Sequence, residues 1–325
     1  MQTRRALLKS TAGITLAAGA AAALPSAVLA KAPIIGHQAA GFYRLKLGDY
    51  EVTALSDGTV AMPMAKIYEG IEEKDAEAYL AGYFQKNPTE TSVNAFLVNT
   101  GDRLVLIDAG TGNVMGPSLG RIVANIEAAG YKTDEIDDVI LTHIHADHSG
   151  GLTTANGERV FGNAVLHVNE REAQFWLQAD EKAKADAGLG PQIVQAGKNI
   201  GPYREAGKFE TFADNDAPIP GFASILRPGH TPGHSAIVVE SRGEKIVFWG
   251  DIVHGDVLQY DRPDVTVEFD VDQKRAAATR AIAFAEAADR KYLVAGAHHA
   301  FPGIGHVRRD DTNYDWVPLL YSANY

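Results

Sequence analysis

Residues 143–148 read His-Ile-His-Ala-Asp-His, three histidines and one aspartate within six positions. They follow the apolar run Val139-Ile140-Leu141 and precede Ser149-Gly150-Gly151. A packed core has no use for four such side chains, whereas the end of a buried strand is where a rigid scaffold presents binding groups. His234 closes Gly229-His230-Thr231-Pro232-Gly233-His234, Asp251 follows Val247-Phe248-Trp249-Gly250, and His298 follows Leu293-Val294-Ala295-Gly296-Ala297. His143, His145, Asp147, His148, His234, Asp251 and His298 are too many ligands for one ion and suit two, because a catalytic zinc takes about three protein ligands and keeps a position for water. The chain has no cysteine, which excludes thiolate ligands, disulfides and a thiol nucleophile. Imidazole with carboxylate suits two divalent ions, zinc first, with manganese, cobalt or iron also compatible. Two ions about 3.5–4 Å apart can share a hydroxide formed near pH 7. The chemistry is then metal-assisted hydrolysis of an ester, lactone or phosphotriester. Asp251 and Asp147 are its catalytic carboxylates.

These residues need strand ends to hold them. Strand patterns cover Phe42–Leu47, Tyr50–Leu55, Val93–Val98, Leu104–Ile107, Val139–Leu141 and Ala164–Val168. They return at Phe209–Phe212, Ser224–Arg227, Ala236–Val239, Lys245–Trp249 and Tyr292–Ala295. Helical patterns cover Ala76–Phe84, Leu119–Ala129, Glu170–Leu177 and Asp272–Ala288, and residues 181–200 are ambiguous. The helices fall between blocks of strands. That order favours an α+β fold of two sheets with helices packed outside over a doubly wound parallel sheet.

Composition narrows the partners. The 325 residues carry 22% charged and 46% hydrophobic side chains with a net charge of −11, as in a soluble globular protein. The one basic cluster is Arg4, Arg5 and Lys9, so nucleic acid is not an expected partner. That cluster, the apolar run 14–30 and Pro-Ser-Ala-Val-Leu-Ala before residue 31 together read as a twin-arginine-type signal peptide over 1–30. Export to the periplasm or medium is expected, with no stable membrane anchoring. Residues 31–325 are then one hydrolase domain, and cleavage takes the charge from −11 to −14.

The stretch HIHADH, with His234, Asp251 and His298 downstream in that order, resembles the metallo-β-lactamase fold superfamily. The blocks GDYEVTALSDGTV, FQKNPTETSVNAFLVNTG, GPSLGRIVANIEAAGY, GHTPGHS and AHHAFPGIGH look like methyl parathion hydrolase and related lactonases and arylesterases. The resemblance implies an αβ/βα four-layer sandwich, a binuclear site and a homodimer. It assigns one metal to His143, His145 and His234, and the second to Asp147, His148 and His298, with Asp251 bridging. His298 is chosen over His299 because it aligns through the following FPGIGH. Asp108 and His230 are assigned to the layer behind the ligands. Ile67, Met115, Trp176, His254 and Phe269 are assigned to the substrate site.

Here the chain departs from organophosphate-degrading members, which carry arginine at position 67 and leucine at positions 254 and 269. The bulkier His254 and Phe269 make a flat slot, better suited to an aryl ester or lactone than to a tetrahedral phosphorothioate. Lactone or aryl-ester hydrolysis is therefore the expected main activity, with organophosphate hydrolysis promiscuous, or itself the main activity as the alternative. A β-lactamase or thioesterase of the same fold is a further alternative. Asp251 disfavours the lactamase, in which cysteine or serine stands there. Gly110-Thr111-Gly112 follows a strand but has neither dinucleotide-binding spacing nor a phosphate-binding lysine. His37 lies near the expected mature N-terminus, His167 reads as structural, and His306, in the block FPGIGH, either orients a ligand or packs.

Overall fold

Alternation along the strands decides the architecture. On Thr89–Asn99, Phe96 and Val98 point to one side while Ala95 and Leu97 point to the other. On Glu244–Phe248, Ile246 and Phe248 face one core while Val247 and the following Trp249 face another. Side chains of a strand alternate between faces, so these strands carry an apolar core on each face and must lie in inner layers.

The computed structural model describes residues 32–186 and 188–324. The expected signal peptide, 1–30, lies outside the described residues. Ala39–Tyr325 forms one compact unit. Its first half runs β1 (Phe42–Leu47), β2 (Tyr50–Met62), α1 (Met64–Ile67), β3 (Tyr68–Glu69), α2 (Glu73–Gly82), β4 (Thr89–Asn99), β5 (Leu104–Ile107) and α3 (Ile122–Ala128). It continues with β6 (Asp138–Ile140), α4 (Ala146–Ser149), β7 (Val165–Asn169), α5 (Glu170–Leu177), α6 (Glu181–Lys184), α7 (Gly190–Glu205) and β8 (Phe209–Phe212). The second half runs β9 (Phe222–Leu226), β10 (Ser235–Ser241), β11 (Glu244–Phe248), α8 (Leu258–Asp261), β12 (Thr266–Val267), α9 (Gln273–Arg290), β13 (Leu293–Ala295), β14 (Ile304–Asp310) and β15 (Asn313–Pro318).

One sheet has seven strands in the order β1-β2-β4-β5-β6-β7-β8, and the other has six in the order β15-β14-β13-β11-β10-β9. Val52, Phe96, Val105, Ile107, Ile237, Ile246 and Phe248 belong to one core cluster joining the sheets. The outer face of the first sheet packs α3, α5 and α7 through Ile126, Trp176 and Ile200. The outer face of the second packs α9 through Ala283, Phe284 and Ala287. This is the expected α+β, four-layer αβ/βα sandwich. A fourth cluster joins α1, α2, β3 and β12. Among the described residues, no helix is long and apolar enough to cross a membrane.

Residues 190–205 of the ambiguous stretch are the helix α7. The hairpin β14–β15 escaped the sequence reading, because Arg308, Arg309 and Asp310 break its apolar pattern. In the structure Arg308 lies opposite Asp315 and donates to its carboxylate, a cross-strand charge pair on an exposed edge. The topology gathers the loops. β5 to β8 run parallel, as do β11 and β13. The segments after β6, β11 and β13 and before β10 therefore share one rim, tied across the sheets where Ser235 N–H donates to the Thr142 carbonyl at 2.9 Å.

The rings of Phe96 and Phe248 meet between the sheets at 5.2 Å. Phe248→Ala should cost about 3–5 kcal/mol of stability, read from urea unfolding. A loss below about 1 kcal/mol would contradict close packing there.

Candidate metal centre

The loop after β6 carries His143 and His145, and the short α4 carries Asp147 and His148. Gly151 packs so closely on the Ala109 carbonyl that a Cβ there would lie 1.9 Å from its oxygen. A larger residue would push the loop off its seat. Asp251 follows β11 after Gly250, whose φ is 54° and whose missing Cβ would lie 2.7 Å from His234 Nε2. His298 follows β13, two residues past Gly296.

Two groups of ligand atoms converge. In the first, His143 Nε2 is 3.0 Å from His145 Nδ1, and His230 Nε2 is 2.9 Å from that same atom. Asp251 Oδ2 lies 3.2 Å from His230 Nε2 and 3.8 Å from His143 Nε2. In the second, His148 Nε2 is 3.0 Å from Asp251 Oδ1 and 3.6 Å from Asp147 Oδ2. His298 Nε2 is 3.4 Å from Asp147 Oδ2 and 3.2 Å from Asp251 Oδ2. Ligands held at zinc-like bond lengths around a tetrahedron sit roughly 3.3 Å apart, so both groups have the spacing that an ion needs. Asp251 belongs to both. His148 Nε2 and Asp251 Oδ1 are buried, make no hydrogen bond despite their proximity, and have no other partner. Buried polar atoms left this way are costly, and a bound cation satisfies them.

The far nitrogens are engaged by oxygens. His148 Nδ1–H donates to Asp108 Oδ2 at 2.8 Å, His230 Nδ1–H to Asp270 Oδ1 at 2.8 Å, and His298 Nδ1–H to the Ser92 carbonyl at 2.9 Å. The Thr142 hydroxyl donates to Asp108 and takes His143 Nδ1–H at 3.1 Å. Each of these contacts leaves Nε2 as the coordinating atom, the usual support for a metal-binding imidazole. Charge follows the carboxylates. Burial alone would lower the pKa of His230 and His298, but Asp251, with Asp270 and Asp147 respectively, holds them up at about 9 and about 10. Asp251 itself is held far below the usual carboxylate range: burial opposes this, and His148 and His298 prevail. Protons and divalent ions compete for such nitrogens.

In the structure His230, rather than the expected His234, stands with His143, His145 and Asp251. His234 Nε2 accepts the Asp251 backbone N–H at 3.0 Å, and its Nδ1–H donates to the Arg227 carbonyl at 3.1 Å. His234 thus holds the backbone of Asp251, and His230 stands in the first group. His299 is turned away, with Nε2 against the Tyr260 hydroxyl at 2.7 Å, which leaves His298 as the histidine of that pair at the centre.

Of the five residues assigned to the substrate site, three surround the metal groups. His254 Nε2–H donates to Asp251 Oδ2 at 3.1 Å, and its ring stacks on His298. The Phe269 ring stands 5.2 Å from His254 and 6.1 Å from His230. Trp176 is buried edge-on to His145 at 5.3 Å. The other two stand apart from these groups. Ile67 is buried in the α1–β12 cluster, where it supports Phe269 from behind. Met115 stands 38% exposed on the loop between β5 and α3 and does not line the cavity beside the metal groups. That cavity has a volume of about 460 Å³ and is bounded by His254, His298, Met64, Tyr68, Phe84 and Ser92.

Glu172 was missed by the sequence reading. This buried carboxylate accepts Ile144 N–H at 3.2 Å, Trp176 Nε1–H at 2.7 Å, Gly233 N–H at 2.9 Å and the Thr231 hydroxyl. It thereby binds the His143–His145 loop to the His230–His234 loop. Its sequence signal is faint, because its partners lie in three separated segments.

His230→Ala should release the metal of the first group, whereas His234→Ala should keep it, with metal content read by plasma mass spectrometry at limiting metal. The reverse result would mean that His234 leaves the Asp251 N–H to take the ion.

Residues 88–298 match the family model of the metallo-beta-lactamase superfamily. The crystal structure of AbOPH, described as a hydrolase of the beta lactamase superfamily, is 38% identical with a TM-score of 0.84, covering 88% of this chain and 100% of that one. AidC, described as a dizinc quorum-quenching lactonase, is 26% identical with a TM-score of 0.80, covering 87% of this chain and 99% of that one. A "probable metallo-hydrolase" of Mycobacterium bovis is 29% identical over 49% of this chain. An N-acyl homoserine lactonase of Bacillus cereus is 26% identical over 39% of it. The chain spans 56% and 42% of the length of those two relatives. With a matching family model, the expected sandwich and converging histidines and aspartates, the chain belongs to the metallo-beta-lactamase superfamily and is a metal-dependent hydrolase.

Proposed function

We propose that the protein hydrolyses lactones and aryl esters at a binuclear centre, with zinc in both positions. The aromatic slot of His254 and Phe269 beside Asp251 carries this reading. It admits a planar acyl group edge-on and crowds the three substituents of a phosphotriester. The lactonase descriptions of AidC and the Bacillus relative support the substrate class. His143, His145, His230 and Asp251 would hold one ion, and Asp147, His148, His298 and Asp251 the other. When bound, such a pair supplies an activated water and polarises the acyl oxygen.

The side chains do the rest. Hydrolysis adds water across the acyl C–O bond, so a proton must pass from the attacking water to the leaving oxygen. Asp147 is the more exposed of the two carboxylates at the centre, with 17% of its side chain accessible against 3% for Asp251. It is the one placed to hand a proton toward the cavity, while Asp251 holds the two groups together. Burial brings the His254 pKa down to about 4 despite the nearby Asp251 carboxylate, so at neutral pH its uncharged ring donates Nε2–H to that carboxylate and fixes it. Trp176 and Phe269 wall the centre from bulk water.

Turnover of dihydrocoumarin and methyl parathion by the zinc-loaded protein, with and without chelator, tests the reading. Chelator-sensitive preference for the lactone is expected. Replacing His254 and Phe269 together by leucine should raise phosphotriester turnover by roughly tenfold. A native preference for methyl parathion would make organophosphates the main substrate class, and a fall in phosphotriester turnover in the double variant would refute the steric reason.

A further inference from the structure

The C-terminus of α2 holds an anomaly. Phe84 N–H bonds to the Ala81 carbonyl at 3.0 Å and Gln85 N–H to the Leu80 carbonyl at 2.9 Å. That pair of bonds closes a helix with the residue past the cap in the left-handed region, a seat that glycine normally fills. Here it is Phe84, with φ 60° and its side chain 95% exposed. A bulky side chain pays for left-handed backbone through Cβ–carbonyl crowding, and full exposure returns nothing by burial. Among the described residues the two capping hydrogen bonds hold this backbone, and no burial of the ring offsets its strain. Residues held in such conformations cluster where they serve a ligand.

Its location says which ligand. Phe84 is among the residues bounding the cavity of about 460 Å³ that His254 and His298 also line, so it stands at the edge of a space that reaches the metal centre. Met64, Tyr68 and Pro88 give the same cavity apolar surface, beside the polar Lys86, Glu90 and Asp256. The volume suits a small organic molecule. We infer that Phe84 is a specificity-determining residue that covers the apolar tail of the substrate while the acyl group lies at the metals. This rests on the lactone and ester reading above and adds the requirement of a hydrophobic substituent distal to the reacting bond. The free enzyme keeps a strained, exposed aromatic ring, and the bound substrate buries it.

The test uses paired lactams, which are not turned over, so binding is read apart from catalysis. Affinities of the zinc-loaded protein for 6-pentyl-2-piperidone and 2-piperidone are measured by calorimetry, for the native chain, Phe84→Gly and Phe84→Ala. The native protein should prefer the pentyl compound, and both variants should lose that preference by roughly tenfold. Phe84→Gly should also raise Tm by roughly 2 °C, because glycine relieves the strain, and Phe84→Ala should not. A gain in stability together with a loss of tail recognition is not expected of a merely structural residue. An unchanged preference in the variants, or none in the native protein, overturns the inference. So does a shift of the sedimentation coefficient from dimer to monomer in the variants with the lactam preference intact, which would make the ring a contact between two copies. Absence of lactone turnover with the tail preference present would refute the proposed reaction and leave the apolar subsite standing.

Discussion

The structure turns on one buried carboxylate. Asp251 lies at the rim between the two sheets, and His143, His148, His230, His254 and His298 all stand within 4.0 Å of its oxygens. An isolated carboxylate at such depth would be prohibitively costly, so the fold must bring compensating groups to it. The histidines do this, and their divergent directions create two ligand groups around one shared residue. Gly250 lets the chain turn into the site, and the ring of His234 holds the Asp251 backbone from behind.

That arrangement depends on the mating of two halves. The first sheet supplies His143, His145, Asp147 and His148; the second supplies His230, Asp251 and His298. Neither half has a complete ligand group, so the apolar core between the sheets sets the geometry of the centre as directly as the ligands do. The outer hydrogen bonds refine it. Asp108, Asp270 and the Ser92 carbonyl fix three imidazoles, while Glu172 ties together the two loops that bear the first group.

Much of this was legible in the residues. The spacing of His143, His145, Asp147 and His148 and the strand patterns before Asp251 and His298 pointed to a rim of loops and a pair of ligand groups. The α+β layering followed from apolar runs separated into blocks. The sequence favours His234 and the structure sets His230 among the ligand atoms; both flank one turn, and only their hydrogen bonds separate them. Ile67 and Met115 could not be placed, because burial in a satellite core and exposure on a loop depend on tertiary packing. Glu172 collects donors from distant segments, and Phe84 reads as an ordinary helical residue until its φ is known. The polar hairpin β14–β15 escaped because its stabilisation comes from cross-strand charge rather than apolar alternation.

The central claim is that Asp251 joins two metal groups into one centre. The most direct measurement is the zinc content of the native chain and of Asp251→Asn after saturation and exhaustive dialysis, with folding checked by circular dichroism. The account predicts two zinc ions per native chain and loss of both from a folded Asp251→Asn chain, since each group loses its shared anion. Two ions retained by the variant, or one ion in the native chain, would contradict it.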